Sequence, residues 1–181
     1  MVYVHLAEGF EEVEALTIVD VLRRAGVDVK TVSMTGEISV MGTHGICVKA
    51  DIVYEDVDYE QCEMIVLPGG MPGAANLEAH EGLARHIKCF AENGKKLAAI
   101  CAAPMVLATH GVLAGKRATI YPGMEDRLQG AVACDEGVIT DGNVITGKGP
   151  AYAMAFALAL AADLRGTAVA DEVAKGLLYR A

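Results

Sequence analysis

The sequence predicts an α/β fold of the doubly wound kind, with a mostly parallel sheet and helices packed on both of its faces. Two patterns carry that prediction. The strand-like segments are short, nearly unbroken apolar runs such as Met64-Ile65-Val66-Leu67, as expected of strands buried on both sides. These runs alternate with longer segments of helical period, which is how parallel strands are joined. A third observation sets the extent. The 181 residues contain no internal repeat, low-complexity tract or linker of loop composition. One domain spanning 1–181 is therefore expected, long enough to bury a core without disulfide or metal staples.

In chain order, residues 2–7 read as a buried strand that Gly9 breaks. Glu11 and Glu12 open a helix reaching about Ala25, where Gly26 closes it; their charges suit the positive end of a helix. Residues 27–34 read as the next strand, and 37–54, punctuated by Gly36, Gly42 and Gly45, as a short hairpin excursion. The strand at 64–67 ends in Pro68-Gly69-Gly70, and a helix over 80–93 follows, capped by Gly94. Residues 96–100 form a strand that runs directly into Cys101 and then a helix ending near His110-Gly111. A strand over 117–121 stops at Pro122, and short strands follow near 131–134, 138–140 and 143–146. A long helix over 150–164 starts with proline in its first turn, and a last helix covers 167–177. In sheets of this type ligands bind beyond the carboxyl ends of the strands, where Gly9, Gly69-Gly70 and Cys101 fall.

Composition narrows the function. A hydrophobic content of 53% excludes a disordered chain. The net charge of −9 would repel a phosphate backbone, so no specific nucleic-acid partner is expected, and the acidic excess serves solubility. The longest apolar segment, 151–162, is shorter than the roughly 20 residues that span a bilayer. The chain enters Val2-Tyr3-Val4-His5-Leu6 with no signal-like lead, and its five cysteines show neither an even count nor CxxC spacing. A cytoplasmic protein with reduced thiols and no membrane anchor is the expectation. His44 and Cys47 share an H-x-x-C spacing, but no second pair joins them, so no metal is expected. Cys47, Cys62, Cys89 and Cys134 read as core or surface thiols. His5, His80, His86 and His110 show no ligand-like clustering in the sequence.

Cys101 stands apart. In Ala98-Ala99-Ile100-Cys101-Ala102-Ala103-Pro104 a strand meets a helix, with small side chains two residues either side of the cysteine. A nucleophile elbow needs that spacing because strand and helix approach closely there. The turn predicts an exposed sulfur at the start of the next helix, where unpaired N–H groups and the helix dipole lower a thiol pKa. The Ala102 amide would point to where an oxyanion develops. The same run also suits a buried structural cysteine, and the local pattern leaves both readings open. Gly69 and Gly70 add bare amides at a neighbouring strand end, although an ordinary tight turn has the same composition. Glu14 adds a carboxyl atop the face formed by Ile18, Val21 and Ala25. Such a group needs a partner, and desolvation should raise its pKa. Glu11 and Glu12 are explained as first-turn charges.

Four blocks together resemble the ThiJ/PfpI superfamily, and most closely its branch of the parkinsonism-associated protein deglycase and bacterial YajL. They are Gly9-Phe10-Glu11-Glu12-Val13-Glu14; Leu67-Pro68-Gly69-Gly70 with Gly73-Ala74-Ala75-Asn76-Leu77; the run around Cys101; and Thr146-Gly147-Lys148-Gly149-Pro150. The resemblance covers nearly the whole chain. It implies a flavodoxin-like three-layer α/β/α sandwich and a homodimer. It also implies a reactive Cys101 hydrogen-bonded to a protonated Glu14, with the Gly70 and Ala102 amides as the oxyanion site. Gly69 and Tyr121 complete the implied substrate-binding set. Tyr121 stands where some relatives carry histidine, and His44 and Lys148 where certain relatives carry arginine. Peptidase relatives place histidine directly after the cysteine; Ala102 occupies that position, which argues against peptidase chemistry.

The activity so implied is a glutathione-independent glyoxalase or deglycase, acting on methylglyoxal, glyoxal or early glycation adducts without metal or organic cofactor. Cys101 would be the nucleophile and Glu14 the general acid and base. The rival expectation is a non-enzymatic sensor of oxidative stress, or a redox-regulated chaperone, working through oxidation of Cys101.

Overall fold

The computed structural model describes residues 1–180. β1 (Val2–Leu6) leads to α1 (Glu12–Arg24) and β2 (Val29–Ser33). A hairpin of β3 (Ser39–Met41) and β4 (Cys47–Lys49) precedes β5 (Ile52–Val53) and β6 (Met64–Leu67). Two helices, α2 (Gly73–Ala79) and α3 (Glu81–Glu92), come before β7 (Lys96–Ile100) and α4 (Pro104–Thr109). β8 (Arg117–Ala118), β9 (Val132–Ala133), β10 (Val138–Asp141) and β11 (Val144–Gly147) follow, then α5 (Ala153–Arg165) and α6 (Thr167–Gly176).

Seven strands form the central sheet in the order β10-β11-β7-β6-β1-β2-β5. All pairs are parallel except β10 against β11. The chain winds from β1 outward to β2 on one side and returns through β6 and β7 on the other. The order therefore reverses between β1 and β6, and the loops after β1, β6 and β7 meet at that crevice.

The strands are apolar on both faces because each face has its own helical layer. Val2, Val4, Leu6, Val66 and Ile100 pack with Ile18 and Leu22 of α1 and with Phe156 and Leu160 of α5. Tyr3, Ile65, Leu67, Leu97 and Ala99 pack with Leu77, Leu83, Ile87 and Val106 from α2, α3 and α4. The result is a three-layer α/β/α sandwich. Ala153, Ala157 and Ala161 lie buried along α5, the small side chains letting it close onto its neighbours. A fully buried Phe or Leu contributes on the order of 1.5–3 kcal/mol each, so the two layers carry most of the fold's stability.

Three expectations are corrected. The helix predicted over 80–93 is preceded by α2, a helix the sequence pattern does not predict. Only Arg117–Ala118 of the segment 117–121 is strand, and it pairs with β9 in a separate two-stranded ladder. Beyond it, Thr119 N–H donates to Thr146 Oγ1 (3.0 Å) and Tyr121 N–H to the Cys101 carbonyl (2.9 Å), drawing the chain across the elbow. Pro150 opens a single 3-10 turn, Pro150–Tyr152, and α5 proper starts at Ala153.

Candidate active site

Cys101 adopts a left-handed backbone, φ 64°, immediately after the last residue of β7. That conformation is costly for a side-chain-bearing residue and marks a constrained position. Two hydrogen bonds hold it: its N–H donates to the Gly147 carbonyl (2.9 Å), and its carbonyl accepts from Tyr121 N–H. The elbow therefore forms as the sequence predicts, with the α4 helix beginning three residues later at Pro104.

The carboxyl reaches this sulfur from α1. Glu11 caps the helix by accepting the N–H of Glu14 at its Oε2 (2.8 Å), and the first turn then directs Glu14 inward. Glu14 is fully buried, as are Ile18 and Val21 on the same face. Its Oε2 accepts the Gly69 N–H (2.8 Å), while Oε1 is buried without a hydrogen-bond partner. Burial raises the Glu14 pKa to about 7, against lowering by the Gly69 amide and the Cys101 thiol. Oε1 is thus the oxygen free to carry the proton.

Glycine is required at 69 and 70 by close approach. A Cβ on Gly69 would stand 2.6 Å from the Cys101 Cβ and 2.8 Å from Glu14 Oε2. At Gly70, with φ +90°, a Cβ would run into Glu11 N and come within 2.5 Å of the Gly9 carbonyl. The Gly70 and Ala102 amides act on the Cys101 sulfur to lower its pKa.

The thiol itself departs from expectation. The elbow predicts an exposed, acidic sulfur, yet Cys101 is only 8% exposed because the Gly69 backbone packs against its Cβ. Burial, then the charge of Glu14 and its hydrogen bond, push the thiol pKa up to about 12. The effect of Glu14 depends on its charge, so it vanishes when Glu14 takes the proton, leaving the two amides to oppose burial. Thiol and carboxyl therefore influence each other's ionisation.

Against this geometry, the comparisons with known proteins are specific. Residues 1–163 match the model of the DJ-1/PfpI family. The chain belongs to the DJ-1/PfpI family. It is 39% identical over 175 residues to protein dj-1beta of Drosophila melanogaster, covering 96% of this chain and 94% of the fly protein. It is 38% identical over 182 residues to protein DJ-1 homolog A of Arabidopsis thaliana, where it spans 99% of itself but 46%, about half, of the plant protein. The solved structure of oxidized Toxoplasma gondii DJ-1 superposes with a TM-score of 0.95 at 38% identity, covering 99% of this chain and 98% of that one. The family assignment agrees with the resemblance carried by the four sequence blocks.

The structure brings Cys101, Glu14, Gly69, Gly70 and Ala102 together. Tyr121 lies beside them, tied to Cys101 by its backbone, with its side chain 47% exposed. Glu11 is the N-cap and Glu12 lies in the first turn of α1, as the sequence suggests, but both are buried. Glu12 accepts the His44 N–H at Oε1 (2.7 Å) and faces His44 Nδ1 with Oε2 (2.9 Å), fastening the β3–β4 hairpin to the start of α1. Burial acts to raise the Glu12 pKa, but the His44 contacts outweigh it and hold it below the usual range. The hydrogen bond to Glu12 in turn raises that of His44. Sequence reasoning missed this pairing because the two residues meet only through the returning hairpin. A glycine at 42 was its one trace, since a Cβ there would collide with the Glu12 carboxyl. Glu11, Glu12 and His44 also form a group, among the described residues, whose donor atoms lie within 4.8 Å of one another. Glu12 and Glu11 Oε2 are engaged in hydrogen bonds to His44 and the Glu14 N–H, which a cation would have to displace.

Lys148 donates to the Asp135 carboxylate and carbonyl. All five cysteines are free thiols. Three of the histidines pack around two tyrosines without forming a ligand group: His5 Nε2 meets the Tyr59 hydroxyl at 2.8 Å, His86 stacks on Tyr59 at 3.6 Å, and His80 packs on Tyr54 at 4.4 Å. Burial pushes the His5 pKa down to about 3, which keeps that ring neutral. No helix among the described residues is long and apolar enough to cross a membrane.

Proposed function

We propose that the chain is a cysteine-dependent, glutathione-independent glyoxalase or deglycase acting on small α-oxoaldehydes or early glycation adducts. The observation that carries this reading is a fully buried carboxyl, with a pKa raised to about 7, paired with the elbow thiol. Such a carboxyl can accept and donate a proton near neutrality, as the reaction requires.

Glu14 carboxylate takes the proton of Cys101 as the sulfur adds to the aldehyde carbon of methylglyoxal. The resulting hemithioacetal oxygen is stabilised by the Gly70 and Ala102 N–H groups. Glu14 returns the thiol's proton to the hemithioacetal oxygen and so regains its carboxylate. It then moves the proton of the former aldehyde carbon to the neighbouring ketone carbon, while the hemithioacetal hydroxyl proton passes to the ketone oxygen. The first carbon is oxidised to a thioester and the second reduced to an alcohol, with no external oxidant. Water cleaves the thioester, releasing lactate and restoring the thiol. A cytoplasmic homodimer using neither metal nor organic cofactor accords with this reading.

A second reading shares the site. Two N–H groups and a neutral carboxyl around one sulfur would also hold a sulfinate, and a Toxoplasma gondii relative is described as oxidized. Methylglyoxal depletion separates the two. Turnover by the purified protein that is lost in Cys101→Ser supports the enzyme; equal, background-level consumption by both overturns it. Mass spectrometry after limiting peroxide tests the sensor, which fails if another cysteine oxidises before Cys101.

A further inference from the structure

Beside the elbow lies a groove of about 200 Å3 whose lining includes neither Cys101 nor Glu14. Both of its walls are fastened to Cys101 by backbone hydrogen bonds. Tyr121 N–H donates to the Cys101 carbonyl and is followed by Pro122. The Cys101 N–H donates to the Gly147 carbonyl, and the chain continues from there through Gly149 and Pro150 to Tyr152. The groove is therefore tied to the backbone that carries the sulfur.

Its lining is flat and aromatic. Tyr121 and Tyr152 expose 47% and 40% of their surface, although each ring is large enough to be buried. Glycine makes room for both rings. A Cβ on Gly149 would touch the Tyr121 ring at 3.4 Å, and a Cβ on Gly137 would run into the Tyr152 ring. Lys148, the one charged residue of the lining, has its ammonium engaged by Asp135. An uncharged planar group placed between two tyrosines and two prolines would stack and lose apolar surface to water; a methyl group would leave most of the groove empty.

We propose that this groove is the subsite for the carbon substituent of the substrate, and that Tyr152 with Tyr121 selects aryl-substituted α-oxoaldehydes over alkyl ones. The inference rests on the aldehyde chemistry proposed above and specifies its substrate class.

The test compares kcat/KM for phenylglyoxal and methylglyoxal in the natural protein, Tyr152→Phe and Tyr152→Ala, with thermal melts to confirm folding. The natural protein and Tyr152→Phe should favour phenylglyoxal by about tenfold or more, and Tyr152→Ala should lose most of that ratio. A ratio near one in the natural protein, or one that survives Tyr152→Ala, overturns the proposal. Saturation-transfer NMR with mandelate and lactate, the two products, reads the groove without turnover. Tyr152-dependent binding of mandelate alone in a protein that consumes neither aldehyde would defeat the catalytic reading while upholding the aryl subsite. Loss of both signals would defeat both.

Discussion

Replacing Glu14 by Gln tests the central physical claim through stability rather than activity. The amide keeps the acceptor for the Gly69 N–H and can donate to the Cys101 sulfur, but it carries no charge at any pH. In the natural protein the carboxyl pKa rises from an ordinary 4.5 to about 7 on folding, driven by burial. At about 1.4 kcal/mol for each tenfold change in proton affinity, that rise corresponds to about 3 kcal/mol. The folded state binds this proton more tightly than the unfolded chain. The stabilisation is therefore complete below pH 4.5 and is lost as the pH rises through about 7. Denaturant melts of both proteins between pH 4.5 and 8 should show the natural protein losing about 3 kcal/mol relative to Glu14→Gln, or about 6–12 °C in Tm for a chain of this size. Other carboxylates cancel in the difference, and repeating the pair in a Cys101→Ala background removes the thiol. A flat difference across that range would refute the claim that burial keeps this carboxyl protonated.

Three further outcomes follow from the same geometry. For methylglyoxal, kcat/KM should rise with pH through about 7, as Glu14 loses its proton and becomes able to take that of the thiol. Glu14→Gln should show no such limb and a rate lower by about 10²–10⁴-fold, read from initial-rate pH profiles. Gly70→Ala places a side chain at φ +90° against the Gly9 carbonyl and should lower stability by about 1–3 kcal/mol, with activity lost, as measured by thermal melts and dicarbonyl depletion. Glu12→Ala removes the acceptor for the His44 N–H, so stability should fall by about 2 kcal/mol and limited proteolysis within 42–46 should quicken.

What was legible in the sequence was whatever local spacing encodes. Glu14 could be found because Ile18, Val21 and Ala25 mark its helix face as buried, and Cys101 because small residues flank it where a strand meets a helix. The Glu12–His44 contact and the turn of 119–121 over the elbow were not legible. Each depends on a segment returning from 20 or more residues away. The same reason explains the error over the thiol. The local run encodes nearby amides, which do lower its pKa, but the covering by Gly69 and the charge of Glu14 are tertiary, and they outweigh the amides. This reversal bears on mechanism. An exposed thiolate would react with any electrophile or oxidant, whereas a buried thiol that ionises only by passing its proton to Glu14 becomes nucleophilic when that carboxylate is free. Under the proposed chemistry, selectivity for substrate over bulk oxidant would then come from the coupling of the two residues as well as from the shape of the cleft.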